Sequence, residues 1–242
     1  MALLHIGFFS EALQKQSAMF VVMPDGAKAP PPVVYQLHGL SDDYTMWQRR
    51  TSIERYADRH GLMIVMPDGG RSWYSDAADG TGAYEKHILE VVAFIDRTFR
   101  TAGGPRGRAI GGLSMGGYGA MKIGLKHPEL FGSIAAHSGA LDTMRQHREK
   151  RWPEMAGIFG STFPDSEDCF HLAELPGVKP AIRIDCGVDD YLIQDNRRFH
   201  AHLFEIGVPH DYAEYPGSHD WEYWDAHIDR ALRFHREIFE QG

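Results

Sequence analysis

Short apolar runs alternate with amphipathic stretches along the chain. The runs "MFVVMP", "PVVYQLHG", "LMIVMPDG", "RAIGG", "GSIAAHSG", "AIRIDCG" and "HDYAEYPG" are too brief for helices, and most end in Gly, Pro or Asp. They are predicted as strands. Between them, "AYEKHILEVVAFIDRTFR" repeats Tyr84, Ile88, Val92, Ile95 and Phe99 at helical spacing, with charges on the other positions. Near the end, Trp221, Trp224, Ile228, Leu232 and Ile238 form a similar face. Strands alternating with such helices predict an α/β fold, a mostly parallel sheet covered on both sides. No repeat or linker divides the chain, so residues 1–242 are expected to form one domain. The Pro-rich stretch at 26–33 reads as a loop entering a strand. The segment 141–175 breaks the rhythm, with Trp152, Phe159 and Phe163 scattered among charges, and is expected to be a small insertion covering a pocket.

Composition narrows the partners. With 242 residues and 43% hydrophobic content, the chain can bury one large core. A formal charge of -8 offers no general attraction to nucleic acid or anionic lipid, so neither is expected as a partner. No apolar run approaches membrane-spanning length. The opening "MALLHIGFFSEALQKQSAMF" lacks a basic leader and a small-residue cleavage pattern, which gives the cytoplasm as the expected location. Cys169 and Cys186 are then expected to be reduced, buried thiols.

The stretch "RAIGGLSMGGYGAM" changes the picture from fold to chemistry. Gly112, Leu113, Ser114, Met115 and Gly116 match GxSxG, after a strand and before a helix-like segment. That context suits a sharp turn that lifts a serine hydroxyl to the edge of a sheet and aims the Met115 N–H at a developing oxyanion. A phosphate-binding loop does not fit, because Gly117 stands where a lysine is required. A serine nucleophile needs a base and an acid, arriving in the chain order Ser, acid, His. "IRIDCGVDD" carries Asp189 and Asp190 past one strand, and "YAEYPGSHDW" carries His219 past the next. All should emerge at one sheet edge.

Taken together, "HGLSDDYTMW", "MPDGGRSWYSD", "GGLSMGGYGAMKIGLKHPELF", "CGVDDYLIQDNRRFH" and "PGSHDWEYW" resemble the esterase D type of putative esterases. That group includes tributyrin esterases, S-formylglutathione hydrolases, feruloyl and acetyl xylan esterase domains, and mycolyltransferases. The resemblance spans nearly the whole chain and implies an α/β-hydrolase fold and a serine mechanism without metal or cofactor, acting on a small-molecule ester. It makes Ser114 the nucleophile and His219 the base. The acid falls on Asp190, the fourth residue of "GVDD", or on Asp189 if the turn is one residue shorter. The oxyanion donors fall on the backbone N–H groups of Leu40, after "LHG", and Met115. His38 is then a structural neighbour. Trp73 and Tyr74 either wall the substrate pocket or belong to the core.

Within the resemblance, S-formylglutathione hydrolases carry a cysteine in the segment matching "LHGLSDD", and this chain has none there. A carboxylesterase for short acyl groups is therefore favoured, with a thioesterase or acyltransferase as the alternative and an inert binding module as the reading from another class. Self-association is left open. The "RQHREKR" stretch at 145–151 is expected to be a solvated helical face. His200, His202 and His210 are not expected to bind zinc, because positions i and i+2 of a helix face apart.

Overall fold

The computed structural model describes residues 1–26 and 29–241. Residues 27 and 28 of the Pro-rich stretch lie outside the described residues. In chain order the strands are β1 (Ala2–Ser10), β2 (Lys15–Met23), β3 (Val33–Leu37), β4 (Met63–Pro67), β5 (Arg108–Leu113), β6 (Ser133–His137), β7 (Ala181–Gly187) and β8 (His210–Tyr215). The principal helices are α1 (Met46–Arg50), α2 (Ile53–His60), α3 (Tyr84–Thr98), α4 (Met115–Lys126), α5 (Thr143–Arg148), α6 (Met155–Phe159), α7 (Cys169–Glu174), α8 (Ile193–Glu205) and α9 (Trp221–Gln241).

The strands form one sheet in the order β1-β2-β4-β3-β5-β6-β7-β8. The β1–β2 and β2–β4 pairs are antiparallel and the rest are parallel. This is the α/β-hydrolase arrangement expected from the sequence. One strand was not: β1 alternates exposed and half-buried positions, placing Leu4, Ile6 and Phe8 against the core while Phe9 stays exposed.

Side-chain alternation splits the core in two. Val33, Tyr35, Leu37, Met63 and Val65 point toward α3, α4, α7 and α8. Val34, Ile64, Met66 and Ala109 point toward α2 and α9. Helix α4 is buried from Met115 to Leu125, which explains its apolar, glycine-rich composition. Its one buried charge, Lys122, reaches Glu167 at 2.6 Å, Glu85 at 3.0 Å, and the Tyr74 carbonyl at 2.8 Å. Burial raises the Glu85 carboxyl, but His127, Lys122 and Lys126 outweigh it and hold the group well below the usual carboxylate range.

The irregular segment 141–175 contains α5, α6, a short 3-10 turn and α7. Its "RQHREKR" stretch is not simply a solvated face. Gln146 is buried and donates to Asp195 at 2.8 Å, while Arg145 pairs with Asp195 and Glu149. Both cysteines are buried and free, and burial pushes the Cys186 thiol up. Among the described residues, no helix is long and apolar enough to cross a membrane.

Candidate active site

Because β3 to β8 run parallel in the sheet, the loops after their carboxyl ends meet along one edge. Leu40 follows β3, Trp73 follows β4, Ser114 follows β5, Asp190 follows β7 and His219 follows β8. The fold thus gathers residues separated by as many as 179 positions, from Leu40 to His219.

Ser114 occupies a turn that few side chains adopt, with φ 54° and ψ -118°. Its N–H donates to the His137 carbonyl at 3.0 Å, and its own carbonyl accepts from Tyr118 and Ala140. Those backbone bonds hold the left-handed conformation in place. The flanking glycines are demanded by contact: a Cβ on Gly112 would lie 2.4 Å from the Gly116 carbonyl oxygen, and one on Gly116 would lie 2.5 Å from that of Leu37. Helix α4 begins at Met115, whose N–H belongs to the first turn and has no acceptor within the helix.

The imidazole of His219 links serine and carboxylate. Its Nδ1–H donates to Asp190 Oδ2 at 2.8 Å, and its Nε2 lies 3.0 Å from Ser114 Oγ, placed to accept the hydroxyl proton. Asp190 is 2% exposed, and its other oxygen accepts the Leu192 N–H at 2.7 Å. Asp189, the alternative acid, is exposed, with its N–H donating to the Gly217 carbonyl. The same crossing sets the distance between the acid and base loops. A Cβ on Gly187 would fall 2.3 Å from the Gly217 oxygen, so only glycine lets the two loops approach this closely. Around the imidazole, Tyr191 packs at 4.4 Å and Trp224 meets it edge-on at 5.0 Å. Burial raises the Tyr191 hydroxyl above its ordinary value.

Ser114 and His219 open into a cavity of about 500 Å³, which Leu40, Met115 and Trp73 also line. Trp73 is 2% exposed, so it forms an inner wall. Of the two alternatives for Tyr74, the core holds: it is fully buried and does not line the cavity. Its hydroxyl donates to the His38 carbonyl at 3.0 Å, and its ring fills the space left by Gly69 and Gly119. Both residues have positive φ, 55° and 51°. Lys122 holds this turn through the Tyr74 carbonyl, and Met115 Sδ accepts the Trp73 N–H at 3.3 Å. His38 is committed elsewhere: Nδ1–H donates to the Gly39 carbonyl and Nε2 accepts from the Gly69 N–H, both at 2.8 Å.

Further walls come from Gln146, Trp152, Tyr191, Trp221 and Trp224. Sequence reasoning assigned none of them to the site. Tyr191 directly follows Asp190, and that adjacency was the available signal; Gln146 and Trp152 lie in the segment 141–175 expected to cover a pocket, but nothing singled out these two side chains. At the rim, Asp42 accepts the Gly39 N–H at 3.2 Å, and burial raises its carboxyl despite nearby His38. His200 and His210 share a 2.7 Å hydrogen bond, while His202 turns to the Phe170 carbonyl. Among the described residues, no group of three or more His, Cys, Asp or Glu side chains could hold a metal ion.

This geometry has recognisable company. A family model described as "Putative esterase" matches residues 10–235. An acetyl esterase from Caldicellulosiruptor saccharolyticus is 26% identical, covering 98% of this chain and 99% of the relative. The substrate-bound structure of FphF, a fluorophosphonate-binding serine hydrolase of Staphylococcus aureus, superposes with TM-score 0.89 at 31% identity, covering 97% of this chain and 98% of that one. The S-formylglutathione hydrolase FrmB of the same organism gives TM-score 0.84 at 30% identity, again over 97% and 98%. A match across nearly the full length, on an α/β-hydrolase sheet whose edge presents a serine, shows that the chain belongs to the putative esterase family and is a carboxylic ester hydrolase.

Proposed function

We propose that the protein hydrolyses short-chain acyl esters through a Ser114–His219–Asp190 triad and an acyl-enzyme intermediate. The observation that carries this reading is the hydrogen-bonded chain from Asp190 through His219 to Ser114, at the foot of a cavity of about 500 Å³. Ser114 Oγ attacks the ester carbonyl while His219 Nε2 takes its proton. Asp190 fixes the tautomer and stabilises the imidazolium that forms. The backbone N–H groups of Leu40 and Met115 receive the tetrahedral oxyanion. His219 then returns the proton to the departing alcohol, and a water molecule, deprotonated by the same imidazole, releases the acid. Trp73 forms one inner wall of the cavity that receives the substrate.

Replacing the nucleophile is the decisive test. Ser114→Ala should lower kcat for p-nitrophenyl acetate by about 10⁴-fold or more while the variant keeps the wild-type circular dichroism spectrum. It should also lose covalent labelling by a fluorophosphonate, the reagent class named for FphF. A folded variant that retains turnover would overturn the assignment. The likeness to FrmB supports a second reading, thioester hydrolysis by the same triad. Parallel kcat/KM values for acetate esters and S-formylglutathione separate the two.

A further inference from the structure

Trp152 stands between two cavities. Its side chain lines the active-site cavity and also a second one of about 730 Å³, built from residues 144–163 in the segment that joins β6 to β7. Helix α5 supplies the rest of the partition, because its neighbouring residues face opposite ways. Gln146 lines the active-site cavity, whereas Met144 and His147 line the second. The helix is firmly held, with Gln146 donating to buried Asp195 and His147 Nε2 bonded to the Gly160 carbonyl at 2.9 Å. Trp152 is held more lightly: its indole N–H donates to Gln146 Oε1 at 3.1 Å, and Arg151 lies 5.8 Å over the ring. One aromatic side chain therefore does what a helix does on the other side of the wall.

We propose that Trp152 sets the acyl-chain limit of the enzyme by closing off the second cavity, which is suited to the distal methylenes of a medium-chain acyl group. This rests on the esterase reading above. The second cavity has the chemistry for that occupant. Met144, Met155 and Phe163 supply its apolar side, while Arg148, Lys150, Ser161 and Thr162 lie toward solvent, and methionine adapts readily to an alkyl chain. Within that lining Phe163 is stiffened from behind by Phe159, whose ring packs 4.6 Å away, with His147 against both. An acyl group on Ser114 that passes the position of the indole would bury its remaining methylenes there. Each methylene so buried should raise binding about fourfold.

The test compares kcat/KM for p-nitrophenyl esters from acetate to decanoate in the full chain and its variants. Trp152→Ala should raise the octanoate-to-acetate ratio about tenfold or more, since several methylenes gain apolar contact. Trp152→Leu, which keeps an apolar side chain, should raise it less, and it serves alone if the alanine variant does not fold. Trp152→Phe, which keeps a ring in the wall, should hold the wild-type ratio. Adding Ala156→Trp to Trp152→Ala refills the second cavity and should cancel the gain. A ratio that stays within about twofold of wild type in the alanine or leucine variant overturns the proposal, being smaller than the effect of one methylene. So does a gain that survives refilling. Absence of turnover of every ester by the wild-type protein would instead refute the esterase reading beneath it.

Discussion

Two histidine–aspartate pairs stand at the carboxyl ends of neighbouring strands with nearly the same geometry. His219 and Asp190 meet at 2.8 Å, and His137 and Asp185 meet at 2.9 Å, each through Nδ1. What surrounds them differs. The Asp190 carboxylate is shared between the imidazole and a backbone N–H, and the far nitrogen of His219 faces a hydroxyl in an open cavity. In the other pair, both side chains are 1% exposed, His137 Nε2 has no hydrogen-bond partner among the described residues, and Asp185 Oδ1 also accepts the Tyr223 hydroxyl at 3.0 Å. Burial raises the Asp185 carboxyl, yet His137, Arg183 and Tyr223 outweigh it and leave it below the ordinary value. A His–Asp contact alone is therefore no sign of catalysis. What sets the proposed catalytic pair apart is that its second nitrogen faces a hydroxyl in an open cavity.

Removing one member of each pair should separate these roles. His219→Ala should lower kcat for p-nitrophenyl acetate by about 10⁴-fold or more with little change in unfolding free energy. Asp185→Ala should do the reverse. It strands a buried imidazole and should cost about 3–5 kcal/mol in urea unfolding, while the folded fraction keeps far more activity than His219→Ala. Comparable activity losses per folded molecule would erase the distinction.

The pair proposed as catalytic was largely legible in the sequence because its physical demands are local. A serine in a left-handed turn needs glycines beside it, and Gly112 and Gly116 stand there because backbone carbonyls pass within 3 Å of their missing side chains. Strand ends marked by glycine also located Asp190 and His219. The choice between Asp189 and Asp190 was harder, since adjacent residues leave a turn in opposite directions and only the crossing of Gly187 and Gly217 fixes which one turns inward. The buried pair left little trace. His137 and Asp185 lie 48 residues apart, and Lys122 finds Glu167 45 residues away, so nothing near any of them announces its partner. Strand β1 escaped for another reason: an edge strand buries only one face, and half-buried Leu4, Ile6 and Phe8 make a weak alternation.

The sealed side of the molecule should also carry an acid sensitivity of its own. His235 on α9 is fully buried, with Nδ1 bonded to Ser133 Oγ at 2.8 Å. Burial, aided by His137 and Arg183, pushes its imidazole down to about 3. In the unfolded chain the ordinary value is about 6.5, so between these limits the unfolded state binds a proton that the folded state refuses. Its stability contribution is complete above about pH 6.5 and is lost as the pH falls, by up to about 1.4 kcal/mol per pH unit. Urea unfolding of wild type and His235→Gln at pH 7, 6 and 5 should show the shallower slope in the variant. Parallel slopes would mean that His235 protonates as readily folded as unfolded.

The finest cut removes one hydroxyl from the sealed pair. Tyr223 lies four residues beyond His219, its N–H donates to Asp220 at 2.9 Å, and a Cβ on Gly217 would fall 2.7 Å from its ring. The ring therefore packs beneath the loop that carries His219, while among the described residues the hydroxyl donates to Asp185. Tyr223→Phe keeps the first contact and deletes the second. It should cost about 1.5–3 kcal/mol in unfolding free energy, the range for a hydrogen bond to a charged group, and leave kcat within about twofold, because the backbone around His219 still rests on an aromatic ring. A larger fall in kcat with unchanged stability would mean that Asp185 reaches the catalytic loop through this hydroxyl, and that the two pairs are coupled.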